Sequence, residues 1–351
     1  MSQEIAHFQN FAKLKDTSLA FNDITVLAGK PSIGKSYVMK FMYAIDEASV
    51  LSETDKEKFH FIFRNILESV FGSIEQINSD FSYKNDCLDI EYSDNNLRIN
   101  RHLRKNFGIG GFSPEKSEAK AVGSEFYKNS NKLEIKKSIT SATFVETPLI
   151  LEFEKFLPKE KFKTPYHIDS LLQELNKNDF SFTSDETSEF INAFRTSSSK
   201  VISGNISKGS SGFSFESKEG KSYNIINTSS GTKSIGLLQY LVTNKALKKG
   251  SVLYWEEPEV HLHPQWQLKM VELFVELMNA GIKIVFSTHS PYMADYLNAI
   301  SKKRDFSDRV SFNLFKEEEG VVRNIILDNK SWDLLQEELL GTLEDIVWEY
   351  L

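Results

Sequence analysis

One octapeptide restricts what this chain can fold into more than any other feature. Gly29-Lys30-Pro31-Ser32-Ile33-Gly34-Lys35-Ser36 fits the phosphate-binding pattern G-x-x-x-x-G-K-[ST]. The run Ile24-Thr25-Val26-Leu27-Ala28 before it reads as a short buried strand, and Tyr37 to Ile45 after it reads as the start of a helix. In that setting the loop N–H groups and the helix N-terminus form a cradle for phosphate oxygens. Lys35 is placed to reach the β- and γ-phosphates, and the Ser36 hydroxyl to hold Mg²⁺. The strand–loop–helix context separates this segment from an incidental glycine-containing turn.

Two later segments repeat the strand-then-chemistry arrangement. Val252-Leu253-Tyr254-Trp255 is apolar throughout and is followed by Glu256-Glu257-Pro258-Glu259. Carboxylates at the end of a strand beside a phosphate loop suit cation coordination and water activation. Glu256 is the candidate metal ligand, through the water shell, and Glu257 the candidate to orient or deprotonate a water. The plain alternative is a solvated acidic turn, which the apolar strand argues against. Ile284-Val285-Phe286-Ser287-Thr288-His289-Ser290 places His289 where it can hydrogen-bond a γ-phosphate. Apolar strands alternating with a helix over Pro264 to Met278 imply a parallel sheet covered on both faces, with these strands beside the phosphate-loop strand. The 215 residues between Ser36 and Val252 argue against a compact small-molecule kinase or small GTPase. Asn227-Thr228-Ser229-Ser230-Gly231-Thr232-Lys233-Ser234 precedes a helix over Ile235 to Leu247. It reads either as an ordinary N-cap or as a second phosphate-binding helix start, which would serve another subunit's nucleotide.

Elsewhere the pattern is less directive. Residues 4–28 read as two strands around a turn at Lys15-Asp16-Thr17, the second feeding the phosphate loop. Helix continues to about Leu51, and an amphipathic helix covers roughly Asp55 to Ile77. Asp80 to Asn100 alternates like a hairpin turning at Asp94-Asn95-Asn96. Residues 105–131 read as a loop, with strands near Lys132–Ser138 and Ala142–Val145. A helix starts within Thr147 to Phe156, residues 166–196 read as helical, and 198–227 as a hairpin turning near Ser207–Gly212. At 351 residues the chain exceeds one compact core, so a large domain with insertions or two lobes is expected. The net charge of −7 argues against coating nucleic acid by bulk electrostatics, but it is unevenly placed. Arg98 to Lys137 holds ten Lys and Arg against four Glu, whereas Ser251 to Leu351 holds nine basic against eighteen acidic residues. The basic stretch reads as a solvated surface or as a contact for a polyanion. A single cysteine, Cys87, no apolar run of about 18 residues and no leader pattern at Met1-Ser2-Gln3-Glu4 lead to the expectation of a cytoplasmic protein without membrane contact.

In this order the motifs resemble the ABC-type ATPases of the SMC/RecF/OLD superfamily, in particular compact bacterial AAA-family ATPases without a long coiled coil. The resemblance runs from Phe8-Gln9-Asn10-Phe11 through the phosphate loop. It resumes at the signature-like Ser229-Ser230-Gly231-Thr232-Lys233 and continues through Glu256-Glu257-Pro258-Glu259-Val260-His261-Leu262-His263-Pro264 to Ser287-Thr288-His289-Ser290-Pro291. It implies an α/β head with a P-loop parallel sheet covered by helices, an N-terminal β lobe and an inserted α+β segment. Its parts would be 1–51 (strands and phosphate loop), 52–197 (insert) and 198–351 (signature, acidic and histidine motifs, helical tail). The cofactors implied are ATP and Mg²⁺. The assembly implied is a head-to-tail homodimer or larger homo-oligomer, each ATP held by one subunit's phosphate loop and the other's Ser230 and Gly231.

By the same resemblance, the ATPase regulates a separate effector, a nuclease or toxin, in bacterial antiviral defence. Two other readings stay open: a DNA-binding repair or recombination ATPase, and a nucleotide-binding scaffold with negligible hydrolysis. Three departures accompany the resemblance. The phosphate loop is less glycine-rich than the family's usual G-P-N-G-S-G-K-S. Glu256 stands where Asp is usual. No glutamine loop is evident, with Glu146 in a comparable place. The tail after His289 reads as an amphipathic helix (Trp332, Leu335, Leu339, Leu340, Leu343, Ile346, Val347) too short for the Toprim domain of OLD nucleases.

Overall fold

A hairpin opens the chain: β1 (Glu4–Phe11) and β2 (Leu14–Phe21) pair antiparallel, with Phe11 opposite Leu14. The turn falls at Ala12-Lys13, where Ala12 takes φ 51. It does not fall at Lys15-Asp16-Thr17, which lie inside β2. Three consecutive polar residues mimic a turn, but Thr17 is buried and its hydroxyl accepts from the Asn324 N–H at 2.8 Å. The strand that feeds the phosphate loop is therefore the third, β3 (Ile24–Gly29), buried along its whole length. The computed structural model describes residues 4–52, 55–78, 80–94, 96–101, 139–154, 156–157, 164–177 and 185–350. The expected loop at 105–131 and strand at 132–138, with most of the basic segment, lie outside them.

The remaining strands are β4 (Phe81–Lys84), β5 (Leu88–Ser93), β6 (Asn96–Arg101), β7 (Ser141–Val145), β8 (Gly204–Gly209), β9 (Gly212–Ser217), β10 (Ser222–Asn224), β11 (Ser251–Trp255), β12 (Lys283–Thr288), β13 (Val310–Glu318) and β14 (Val321–Ile326). The described strands form a large sheet ordered β6-β5-β4-β1-β2-β14-β13-β3-β12-β11-β7 and a small one ordered β10-β9-β8. The half from β13 and β3 through β12 and β11 to β7 is parallel. The half from β6 to β2 is antiparallel. Residues 52–197 thus supply strands to both ends of one sheet. The halves meet where β2 pairs with β14 at Val322 and Leu14. There the buried Asn313 side chain stands in for ladder bonds, accepting from the Ala20 N–H at 2.9 Å and donating to the Ala20 carbonyl at 2.8 Å.

Helices α1 (Lys35–Ser52), α2 (Lys56–Phe71), α3 (Tyr166–Asn176), α4 (Asp185–Ile202), α5 (Ser230–Thr243), α6 (Pro264–Asn279), α7 (Pro291–Lys303) and α8 (Trp332–Tyr350) cover the sheet. The amphipathic 56–71 segment is bounded chemically: Asp55 accepts from the Glu57 and Lys58 N–H groups, and Gly72 ends the helix at φ 80. The stretch read as one helix over 166–196 is two, α3 and α4, and the second runs on to Ile202. Strand alternation then sorts the core. Ile24, Val26, Leu253, Trp255, Ile284 and Phe286 face one apolar cluster with α5, α6 and α7, while Leu27, Val252, Tyr254 and Val285 face another with α1 and α2. The fold is α/β, with one large mixed sheet buried between helical layers.

Candidate functional site

The order β3-β12-β11 sets three loops side by side at the C-terminal ends of parallel strands: the phosphate loop, the Thr288–Ser290 loop and the Glu256–Glu259 loop. Crevices at that end of an open parallel sheet are where ligands bind. Gly29, at φ +137, starts the first loop so close to β13 that an added Cβ would lie 2.4 Å from the Phe315 carbonyl oxygen. Gly34, at φ +104, has open space where a side chain would be, which leaves its backbone approachable.

Lys35 is 5% exposed. Its ammonium donates to the carbonyls of Gly29 at 2.8 Å and Lys30 at 2.7 Å, and lies 3.2 Å from His289 Nε2. Burial pulls its pKa down to about 8, against the raising influence of Glu257, Glu259 and Glu256. The same His289 nitrogen stands 3.1 Å from Glu257 Oε1. Protonated there, His289 donates to Glu257; as the other tautomer it accepts from Lys35. Burial and the Lys35 charge push the imidazole pKa down, which favours the neutral ring that such a switch of tautomer requires.

Glu257 adopts φ 44, a left-handed conformation uncommon outside glycine, at the point where the chain leaves β11. Its N–H is held by the Ser287 carbonyl and hydroxyl, each at 3.2 Å. Its side chain is 43% exposed, the most open of the group and the one able to meet a water. Glu256 is the inward member. Its N–H donates to the Val145 carbonyl, and one carboxyl oxygen is buried without a partner. Burial raises its pKa to about 7, while Lys40 and a hydrogen bond from Ser36 pull the other way.

That orphan oxygen beside the Ser36 hydroxyl fits a hydrated divalent cation, and the approachable loop with its buried ammonium fits a polyphosphate. Among the described residues no cluster of three or more His, Cys, Asp or Glu is arranged to hold a metal by protein ligands alone. Ser36 and Glu256 would therefore share a Mg²⁺ with the phosphates and waters.

Of the sequence-derived candidates, Gly29 to Ser36, Glu256, Glu257 and His289 come together. Ser230 and Gly231 do not join them within the chain. They begin α5, which packs on α4 and β8. Ser229 caps that helix by accepting from the Thr232 N–H. Gly231 is buried and closely packed: a Cβ would lie 3.2 Å from Trp266 and 3.3 Å from Leu262.

Sequence reasoning assigned no role to Lys40, His167 or Glu259. Lys40 lies one turn after Ser36, a spacing that could have flagged it, and pairs with Glu146 at 3.2 Å. The buried His167 donates to the other oxygen of Glu146 at 2.8 Å, and that bond with the Lys40 charge holds the Glu146 pKa at about 2. At the far side of the phosphate loop, Lys30 meets Glu338 of α8 at 3.6 Å.

The model of the family described as "AAA domain, putative AbiEii toxin, Type IV TA system" matches residues 24–295. An OLD nuclease of Thermus scotoductus (strain ATCC 700910 / SA-01) is 40% identical over 78 residues, which make up 20% of this chain and 14% of that protein. This chain therefore spans only a small part of that relative's length. Among solved structures, the SMC head domain from Thermotoga maritima superposes with a TM-score of 0.47 at 12% identity, over 93% of this chain and 100% of that one. An SmcHead bound to the C-winged helix domain of ScpA gives 0.49 at 12% identity, over 94% and 99%.

Proposed function

The chain belongs to the AAA-domain family whose model spans its residues 24–295, a family of ABC-type P-loop ATPases, and from that premise we propose that it binds and hydrolyses ATP with Mg²⁺ between the three adjoining loops. Turnover would switch a homodimer or larger homo-oligomer, and that switch would control a separate effector protein, a nuclease or toxin, in antiviral defence. The observation that carries the reading is the contact of Lys35, His289 and Glu257 within 3.2 Å, brought together from three strands. A phosphate ligand, a hydrogen-bonding imidazole and an exposed carboxylate in contact are the parts that phosphoryl transfer to water requires.

In this reading Lys35 and the loop N–H groups hold the phosphates, and Ser36 with Glu256 holds the cation. A Mg²⁺ held there would supply charge neutralisation to the phosphates. Glu257 orients the attacking water and accepts its proton. His289, donating through Nε2, fixes the carboxylate that does so and senses the terminal phosphate. The effector role rests on the family and on the single chemistry of the site.

Lys35→Ala should abolish measurable ATP binding. Glu257→Gln should bind ATP with wild-type affinity and lose about a hundredfold or more in turnover, the usual worth of a general base. Nucleotide titration and phosphate-release assays on both variants decide it. Unchanged turnover in Glu257→Gln would remove that residue from the chemistry.

A further inference from the structure

Glu259 is the third carboxylate of the acidic run and takes no part in the chemistry assigned above. Pro258 and two tight turns, Val260 N–H to the Glu257 carbonyl at 3.0 Å and Leu262 N–H to the Glu259 carbonyl at 2.8 Å, bend the loop back toward β12. The Glu259 side chain consequently reaches the neighbouring loop. Its Oε1 accepts from the His289 backbone N–H at 2.6 Å and from the Thr288 hydroxyl at 2.8 Å. Its other oxygen is buried with no partner.

We infer that Glu259 is a positioning residue, whose Oε1 holds the backbone of His289 so that the imidazole stands between Lys35 and Glu257. The inference rests on the ATP-hydrolysis reading and adds to it a residue that never touches the reacting atoms. The bonds around it leave the loop little freedom. While the Thr288 hydroxyl donates to Glu259, it accepts the Ser290 N–H at 2.9 Å. Ser290 in turn caps α7 through the Met293 N–H and donates to Gln267 Oε1 at 2.5 Å. Gln267 donates to the Leu262 carbonyl on the loop that carries Glu259. Each residue from Thr288 to Ser290 is thus tied to the acidic loop or to the helix after it, and Glu259 is what holds the His289 backbone. At 2.6 Å the bond from the His289 N–H is short for an amide donor.

The test combines kinetics with a signal from the nucleotide-free protein. Glu259→Ala should lower kcat about tenfold to a hundredfold, the cost of displacing a catalytic group by up to about an ångström, with KM for ATP within about twofold. Glu259→Gln keeps an amide oxygen that can accept both bonds and should retain kcat within about threefold. In a His289→Ala background, Glu259→Ala should add no more than about a twofold further loss, because it acts only through the histidine.

Seven histidines make selective ¹⁵N-histidine labelling tractable, with the His289 amide assigned by its loss in His289→Ala. Without nucleotide that amide proton should lie downfield and exchange slowly in the wild type and in Glu259→Gln. It should shift upfield and exchange faster in Glu259→Ala. Wild-type kcat in Glu259→Ala, an unmoved His289 amide, or losses that simply add to those of His289→Ala would each overturn the inference. Absence of ATP turnover in the wild type would instead sink the functional reading. The amide shift would then decide the inference alone, upheld if it moves in Glu259→Ala and rejected if it does not.

Discussion

Two side chains set the pH window of the site. A phosphate needs the Lys35 ammonium, whose pKa burial lowers to about 8, and a divalent cation needs the Glu256 carboxylate, whose pKa burial raises to about 7. Below that lower value Glu256 must release a proton to meet Mg²⁺, and above the higher one Lys35 must regain a proton to meet phosphate. Apparent affinity for Mg·ATP should therefore peak between pH values of about 7 and 8 and fall by up to about tenfold per pH unit on each side. Calorimetric titration in buffers of different ionisation enthalpy checks this: net proton release on the acid limb, uptake on the alkaline limb. A flat profile would mean that neither group meets the ligand. Fold stability follows the opposite sign. Lys35 titrates below its ordinary 10.5 when folded, so the unfolded chain binds more protons above about 8 and stability rises with pH there. Glu256 titrates above its ordinary 4.5, so the native state binds more protons between that value and about 7, and stability falls with rising pH over that range. Each group therefore destabilises the empty fold in the window where the site binds best, a pattern expected of functional rather than structural ionisable residues.

At the scale of elements, the packing of α5 on β8 shows how context overrides propensity. Gly236 lies in the interior of α5, where glycine costs about 1 kcal/mol relative to alanine. Yet a Cβ there would sit 2.3 Å from Ile206 Cγ1, so the helix approaches the strand only because the position carries no side chain. Gly236→Ala should therefore destabilise the protein by about 1–3 kcal/mol through overpacking. In an Ile206→Ala background, itself destabilised by the lost core side chain, the same Gly236→Ala change should cost less, since the Cβ then has room. Urea midpoints of the two single variants, the double variant and the wild type test this, and a gain in stability from Gly236→Ala alone would show that the helix can shift away. The same close fit sets the start of α5. At Gly231 a Cβ would press on Trp266 and Leu262 at 3.2–3.3 Å, so close packing within the single chain bears on that position whatever the helix start does in an assembly.

At the scale of the whole molecule, the open question is association. Ser229 is exposed and Ser230 half-buried at the start of α5, where a second chain could bring its nucleotide against them. With ATP and turnover blocked by Glu257→Gln, light scattering should show a doubling of mass or more. Ser230→Glu offers a clean perturbation. A carboxylate in the first turn favours its own helix by about 0.3–1 kcal/mol, so the monomer is spared, yet it repels an opposing phosphate. In the Glu257→Gln background it should leave ATP binding intact and hold the mass at the nucleotide-free value. Association that survives Ser230→Glu would mean that this helix start serves only its own chain. Among the described residues no helix is long and apolar enough to cross a membrane.

What the sequence determined by itself was local: a phosphate loop between strand and helix, an acidic pair after an apolar strand, a histidine after the next. These are legible because each depends on a few contiguous residues whose spacing dictates backbone geometry. That these three strands lie side by side also followed, since continuous apolar runs share a buried parallel sheet, but their order β3-β12-β11 came from the tertiary structure. The N-terminal turn falls elsewhere than expected because Lys15-Asp16-Thr17 has turn-like polarity, whereas pairing with Phe8 and a bond from the distant Asn324 hold Thr17 in a strand. Likewise Glu259 reads as one more acid in a run, and its bond to His289 exists only once β11 and β12 lie side by side. The tertiary structure alone decided which charge meets which: Lys40 with Glu146 and His167, Lys30 with Glu338, Lys35 with His289. The physical reason is range. Hydrophobic period and loop chemistry act over a few residues, whereas burial and pairing of charge depend on what folding brings near, here across 254 positions between Lys35 and His289.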